Sequence, residues 1–283
     1  MPEGPEVRCI TVKLHERLQS QYLNSIQWDD KSKYRNGLLH YAELEKRLPQ
    51  KITGVSCKGK KIIFQLENEM YITSTLGLEG NWSWKPSKHA NLYFELTDSE
   101  EKAGHVYFSD SRHFGNIQIF LSTNALLDDL NLKIGPDLLA YAIDYYNKEN
   151  EAEPIPLELW KTRINRYRAK QICEFLMDQK IFSGIGNYLK AEILYRAKIR
   201  PNRLLRNLTD AEIVTLYWTT LETIYEAFFA GGLTIKSFWD PDGKRGTFSK
   251  VVYGSKQDLL GNPVIQQTFK DGRTTHWVPA VQT

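Results

Sequence analysis

Ile181-Phe182-Ser183-Gly184-Ile185-Gly186-Asn187 runs straight into Tyr188-Leu189-Lys190-Ala191-Glu192-Ile193-Leu194-Tyr195-Arg196. The second stretch is rich in helix formers, and the first is a Gly-x-Gly turn with Asn at or near the helix start. A turn of this kind points backbone N–H groups outward at a helix N-terminus, where an anion such as phosphate is favoured. A plain helix–helix turn reads the same way, so the pattern sets local structure and leaves the ligand open. Helices surround it. Residues 157–167 and 170–177 read as short helical pieces, and 209–230 as a longer helix capped by Thr209 and stopped by Gly231-Gly232.

Beyond the helices the chain turns to β character. Residues 264–269 and 274–278 flank Lys270-Asp271-Gly272-Arg273, and Asp-Gly between β-prone runs predicts a hairpin. Arg273 then lies beside the tip, exposed and cationic. A lone two-stranded hairpin is marginal in water, so this one needs a packing surface or a metal. No cysteine follows Cys173, and His276 is the only histidine of the tail, which excludes conventional zinc ligation. No metal or other cofactor is expected. Packing through Val264, Phe269, Trp277 and Val278 has to substitute.

Upstream, residues 141–156 are polar and acidic and read as a linker between domains at 1–140 and 157–283. Residues 22–122 carry short β-rich runs, among them Lys61-Ile62-Ile63-Phe64-Gln65-Leu66, Asn91-Leu92-Tyr93-Phe94-Glu95-Leu96 and His105-Val106-Tyr107-Phe108. Turn residues separate them, which predicts a β-sandwich or barrel. Lys58-Gly59-Lys60-Lys61 sits at a hairpin entrance, where long cations can reach an anion, although a solvated turn is the default for such residues. Leu78 and Phe114 lie in Gly-flanked turns, and in isolation each reads as a core residue. Residues 3–20 form a helix, with Val7, Ile10, Leu14 and Leu18 on one face.

That first helix anchors the amino terminus, Met1-Pro2-Glu3-Gly4-Pro5-Glu6. With Met1 removed, Pro2 supplies a secondary amine, and Glu3 places a carboxylic acid beside it. An α-amino group titrates near pH ~8, so a useful fraction is neutral and nucleophilic at physiological pH. Attack on an aldehyde-level carbon would give an iminium ion. Met-Pro alone is a common start to a protein and decides nothing.

Composition sets the frame. The chain has 283 residues, 41% hydrophobic and 25% charged, as in globular proteins of two ordinary domains. No apolar run approaches a membrane span, and the start lacks a secretory signal pattern. Cys9, Cys57 and Cys173 are far apart, form no disulfide framework and point to a reducing compartment. Net charge is +3, but residues 1–156 carry a balance of −4 and residues 157–283 a balance of +7. The second half is therefore the polyanion-facing part, unless the excess is only a solvated basic surface.

In this order the pieces resemble the Fpg/Nei family of DNA glycosylase/AP lyases over nearly the whole chain. Pro2-Glu3-Gly4-Pro5-Glu6 resembles the start of the Nei branch, and the stretch 184–196 resembles the family's helix–two-turn–helix motif. Gly272-Arg273-Thr274-Thr275-His276-Trp277-Val278-Pro279-Ala280-Val281-Gln282 is similar to the end of the family's zinc finger. There Val278 and Val281 stand where the final cysteine pair would be, as in the zincless finger of some Nei-like members.

The resemblance implies an α+β fold of two domains: an N-terminal helix with a β-sandwich, then a helical domain closed by a zincless-finger hairpin over about 248–283. It implies excision of oxidised bases, mainly pyrimidines, from damaged DNA, duplex or single-stranded, followed by β,δ-elimination. It implies Pro2 as the attacking amine, Glu3 as general acid, Glu6 as a support, and Lys60 on the phosphate beside the lesion. Asn187 and Arg273 would hold other phosphates, and Leu78, Arg112 and Phe114 would fill the space vacated by a flipped base. Family members are usually monomers, and the resemblance places this one in a DNA-containing compartment. Two other readings compete: a damaged-DNA-binding protein without catalysis, and a proline-dependent enzyme of small carbonyl compounds. The second leaves the basic half and Arg273 unexplained.

Overall fold

Val7, Ile10, Leu14 and Leu18 are all buried along one face of helix α1 (Gly4–Leu18) in the computed structural model, as their spacing predicts. The structure describes residues 1–28, 30–147, 156–234 and 239–283. It divides into two compact units. The first takes in Met1–Pro2, Glu6–Leu132 and Thr234–Thr247; the second takes in Glu3–Pro5, Lys133–Leu233 and Phe248–Thr283. The fold is α+β.

The first unit is built on β1 (Tyr22–Gln27), the short helix α2 (Tyr41–Glu45), β2 (Gln50–Lys58), β3 (Lys61–Leu66), β4 (Tyr71–Thr75), β5 (Asn81–Ser83), β6 (Ala90–Thr97), β7 (Ala103–Ser109) and β8 (Asn116–Phe120). The strands pair antiparallel in the order β5-β7-β6-β1-β2-β3-β4-β8. Strands β1 and β2 share only the pairs Tyr22↔Lys51 and Leu23↔Gln50, so the sheet folds there into the two layers of a sandwich. Trp82 fills the space between them. Its ring lies 5.0 Å from Phe64 of β3, 5.0 Å from Phe94 of β6 and 5.3 Å from Phe108 of β7, and its Nε1 donates to Ser74 Oγ at 3.0 Å. Helix α3 (Thr123–Lys133) follows, and its Asp129 pairs at 2.6 Å with Lys61, which is buried. Of the cations in the 58–61 turn, Lys61 thus serves the fold.

In the second unit, α4 (Leu138–Asn147) covers part of the stretch expected to be a linker. Leu138, Leu139 and Ala142 are buried at helical spacing, and Tyr145 and Tyr146 pack on Trp218 and Tyr225, which accounts for its order. Residues 148–155, the acidic part of that stretch, lie outside the described residues. Next come α5 (Leu157–Arg166), α6 (Ile172–Met177), α7 (Asn187–Arg196) and α8 (Asp210–Phe229). Thr209 caps α8 reciprocally with Glu212 in a capping box, and Gly231, at φ 72°, follows its end. The hairpin is present as β9 (Ile265–Thr268) and β10 (Thr274–Trp277), antiparallel, with Trp277↔Ile265 and Thr274↔Thr268 in register.

Candidate functional site

Glu3 is only 2% exposed, and its carboxylate sits on the N-terminus of α7. Gly186 N–H donates to Oε2 at 2.7 Å, Tyr188 N–H to Oε1 at 2.9 Å and Leu189 N–H to Oε2 at 3.3 Å. The sequence marks these amides as suited to an anion such as phosphate and leaves the ligand open. Here the chain's own carboxylate takes them, because the helix end favours any anion and Glu3 is the one delivered to it. Two glycines make room. A Cβ on Gly186 would fall 2.3 Å from Glu3 Cδ, and one on Gly4 would fall 3.0 Å from Gly184 Cα, where Gly4 N–H donates to the Gly184 carbonyl at 2.8 Å.

Asn187, the first residue of α7, donates from Nδ2 to the Thr274 carbonyl at 2.9 Å. That bond places it beside the chain neighbour of Thr274, the exposed Arg273. The two residues assigned to phosphate by resemblance are thus brought together at one end of the hairpin. Further along α7, Glu192 is fully buried and receives N–H bonds from Val251, Val252 and Tyr253 at 2.9, 3.0 and 2.8 Å. Lys190, also fully buried, forms an ion pair with Asp271 of the hairpin tip. Burial lowers the Lys190 pKa below its usual value despite that partner, and it raises the nearby Cys173 thiol to about 11, aided by the Asp271 charge. A buried Lys or Glu on a short helix is the only sequence signal for such contacts, and it names no partner.

The hairpin rests on apolar side chains. Ala191, Val252 and Val278 are buried together, with Val264, Tyr253 and Val281 against them, and Phe269 and Trp277 pack edge to face. Valine cannot ligate zinc, so Val278 and Val281, which the resemblance alone sets at the places of a final cysteine pair, do not fit that metal. Among the described residues no group of three or more His, Cys, Asp or Glu is arranged to hold an ion.

In the first unit, Pro2 and Glu6 are buried. Burial, followed by the Glu6 charge, pushes the Cys9 thiol up to about 12, which keeps it protonated and inert. Lys60 lies partly buried in the two-residue turn between β2 and β3, closed by the pair Lys58↔Lys61 with Gly59 at φ 57°. The turns that carry Leu78 and Phe114 are in contact. A Cβ on Gly77, at φ 60°, would fall 2.6 Å from Gly115 N and 2.8 Å from Phe114 Cβ. Buried Asp110 shapes the second turn by accepting from Arg112 N–H at 3.1 Å and Gly115 N–H at 2.6 Å, and Lys33 donates to the Gly115 carbonyl. Phe114 is not a core residue: it is 59% exposed, with the Arg112 guanidinium 5.2 Å from its ring.

An antiparallel sandwich together with a helical unit whose Gly-x-Gly turn receives the glutamate after Pro2 defines a class of two-part α+β proteins. Residues 1–117 match the model of the formamidopyrimidine-DNA glycosylase N-terminal domain, and residues 147–238 that of the formamidopyrimidine-DNA glycosylase H2TH domain. The formamidopyrimidine-DNA glycosylase of an Exiguobacterium species is 30% identical over all of this chain and 99% of its own, and that of Rickettsia felis is 29% identical over 98% of its own. The chain belongs to the formamidopyrimidine-DNA glycosylase family. Lactococcus lactis Fpg, solved with an abasic-site DNA, superposes with a TM-score of 0.83 at 26% identity over 99% of both chains. Thermus thermophilus MutM (Fpg) does so at 0.82 and 28%, over 99% of this chain and 98% of its own.

Proposed function

We propose that this protein is a base-excision-repair DNA glycosylase and AP lyase of the Nei-like branch, acting as a monomer on oxidised bases, pyrimidines in particular. The single observation that carries the reading is Glu3, held by three backbone N–H groups immediately after the proline whose amine must be aimed. After Met1 is removed, the Pro2 nitrogen attacks C1′ of the damaged nucleotide, and the base departs with the shared electron pair and takes a proton from solvent water. The Glu3 carboxylate takes the proton that the amine loses and returns it to the opening sugar ring. The resulting iminium ion acidifies the 2′ C–H. Loss of that proton expels the 3′ phosphate, and a second elimination expels the 5′ phosphate.

Lys60 holds the phosphate beside the lesion, and Asn187 with Arg273 holds others, while Glu6 orders the site. A stacked base cannot be reached, so it is flipped out, and Leu78, Arg112 and Phe114 occupy the vacated space. The exposure of Phe114 and the contact between the two turns support that role. The valine-packed hairpin supports a finger that works without zinc.

Borohydride trapping tests the chemistry. Processed protein on a duplex with an abasic site or an oxidised pyrimidine is expected to give a covalent adduct, and Pro2→Thr or retained Met1 none. Binding without adduct or strand cleavage by the native N-terminus would leave a DNA-binding protein only. Preference for a formamidopyrimidine purine over an oxidised pyrimidine would move the protein off the Nei-like branch. Chelation should leave cleavage intact, and stoichiometric zinc would overturn the zincless assignment.

A further inference from the structure

The ion pair between Lys190 and Asp271 is deeply buried, with side chains 0% and 2% exposed. Burying two charges is costly, and an apolar pair of similar volume is often at least as stable. Stability is therefore a poor account of why the pair stands here. Its connections give a better one. Asp271 Oδ2 takes the Lys190 ammonium, and its Oδ1 accepts the backbone N–H of Arg273 at 3.3 Å. Between the two lies Gly272, at φ 69°, whose N–H closes the turn on the Phe269 carbonyl at 3.0 Å. Lys190 stands one turn beyond Asn187 on α7, and Asn187 holds the Thr274 carbonyl on the other flank of Arg273. The backbone of Arg273 is thus gripped from residues 271 and 274, and both grips originate on α7.

We infer that Lys190 and Asp271 are positioning residues for Arg273: the buried pair fixes the hairpin tip to α7 so that the Arg273 guanidinium is presented in register with Asn187 to a DNA phosphate. The inference rests on the DNA-binding reading above. A guanidinium on a loose tip would pay ordering entropy at every binding event, and the pair removes that cost in advance. The pair makes no contact with DNA itself.

The test uses the processed full chain, an abasic duplex, and the double variant Lys190→Met with Asp271→Leu, which leaves no unpaired buried charge. The double variant is expected to keep the native melting temperature within a few degrees and to bind about tenfold more weakly, the loss expected of one charge-assisted phosphate contact. The slope of log affinity against log salt should shrink by about 0.9, the signature of one lost phosphate contact. Arg273→Ala should reproduce both changes, and adding it to the double variant should cost nothing more.

Native affinity and slope in the double variant would overturn the proposal, as would losses that multiply with those of Arg273→Ala. Native affinity in Arg273→Ala itself, or no duplex binding by the native protein, would remove the underlying DNA-binding reading instead, and the proposal with it.

Discussion

At the scale of single residues, Glu3 and Gly186 depend on each other. The carboxylate satisfies three N–H groups that would otherwise be left at a buried helix end, and only a residue without a side chain allows it to approach. The sequence made Glu3 a candidate through its place beside Pro2, and it made 184–187 a candidate anion site. It could not say that one was the ligand of the other, because 183 residues separate Glu3 from Gly186. Gly186→Ala is expected to push the Glu3 side chain off α7, at a cost of about 1–3 kcal/mol in stability. Borohydride trapping should fall with it, and a melting curve beside the trapping gel checks both. An alanine variant with native trapping would show that the carboxylate need not sit on the helix to serve the amine.

Elements show where apolar residues mislead. Phe114 reads as core by type, yet a turn fixed by Asp110 and packed against Gly77 holds it outward, and no local periodicity announces that. Phe114→Ala should change stability by no more than about 0.5 kcal/mol, as for other exposed positions. Base excision from a duplex should nonetheless slow markedly, while excision from single strands, which leaves no vacated stack to fill, should not. Equal slowing on both substrates would count against the void-filling role. The hairpin is the opposite case. Its strands, its Asp-Gly tip and its reliance on packing were all legible from the sequence, since alternating β-prone residues and missing ligands are local facts. The partners that receive it, Ala191 and Val252, were not. Val278→Ala removes two methyl groups from that small cluster and should cost about 1–3 kcal/mol, read as a lower unfolding midpoint that added zinc does not restore.

For the whole chain, the order of pieces was readable: a helix, β-rich runs, helices around a Gly-x-Gly turn, then a hairpin. Periodicity and turn chemistry act within a few residues, and they sufficed for that order. Membership of the units is a long-range property, and there the chain is less simple than its order. Glu3–Pro5 belongs with the helical unit and Thr234–Thr247 with the sandwich, so each unit borrows a segment from across the sequence. The charge asymmetry is also a whole-chain property, and it carries the last prediction. If the +7 of residues 157–283 reflects phosphate contact rather than a solvated surface, affinity for an abasic duplex must fall steeply with salt. Lys60 and Arg273 alone, one from each unit, imply a log–log slope of about −2, at roughly −0.9 for each neutralised phosphate. Other cations in contact can only steepen it. Fluorescence anisotropy between about 50 and 200 mM salt measures the slope over a range where such terms are resolved. A slope near zero would mean that the basic half faces water, and that whatever binding exists is carried by the flipped base and its pocket alone.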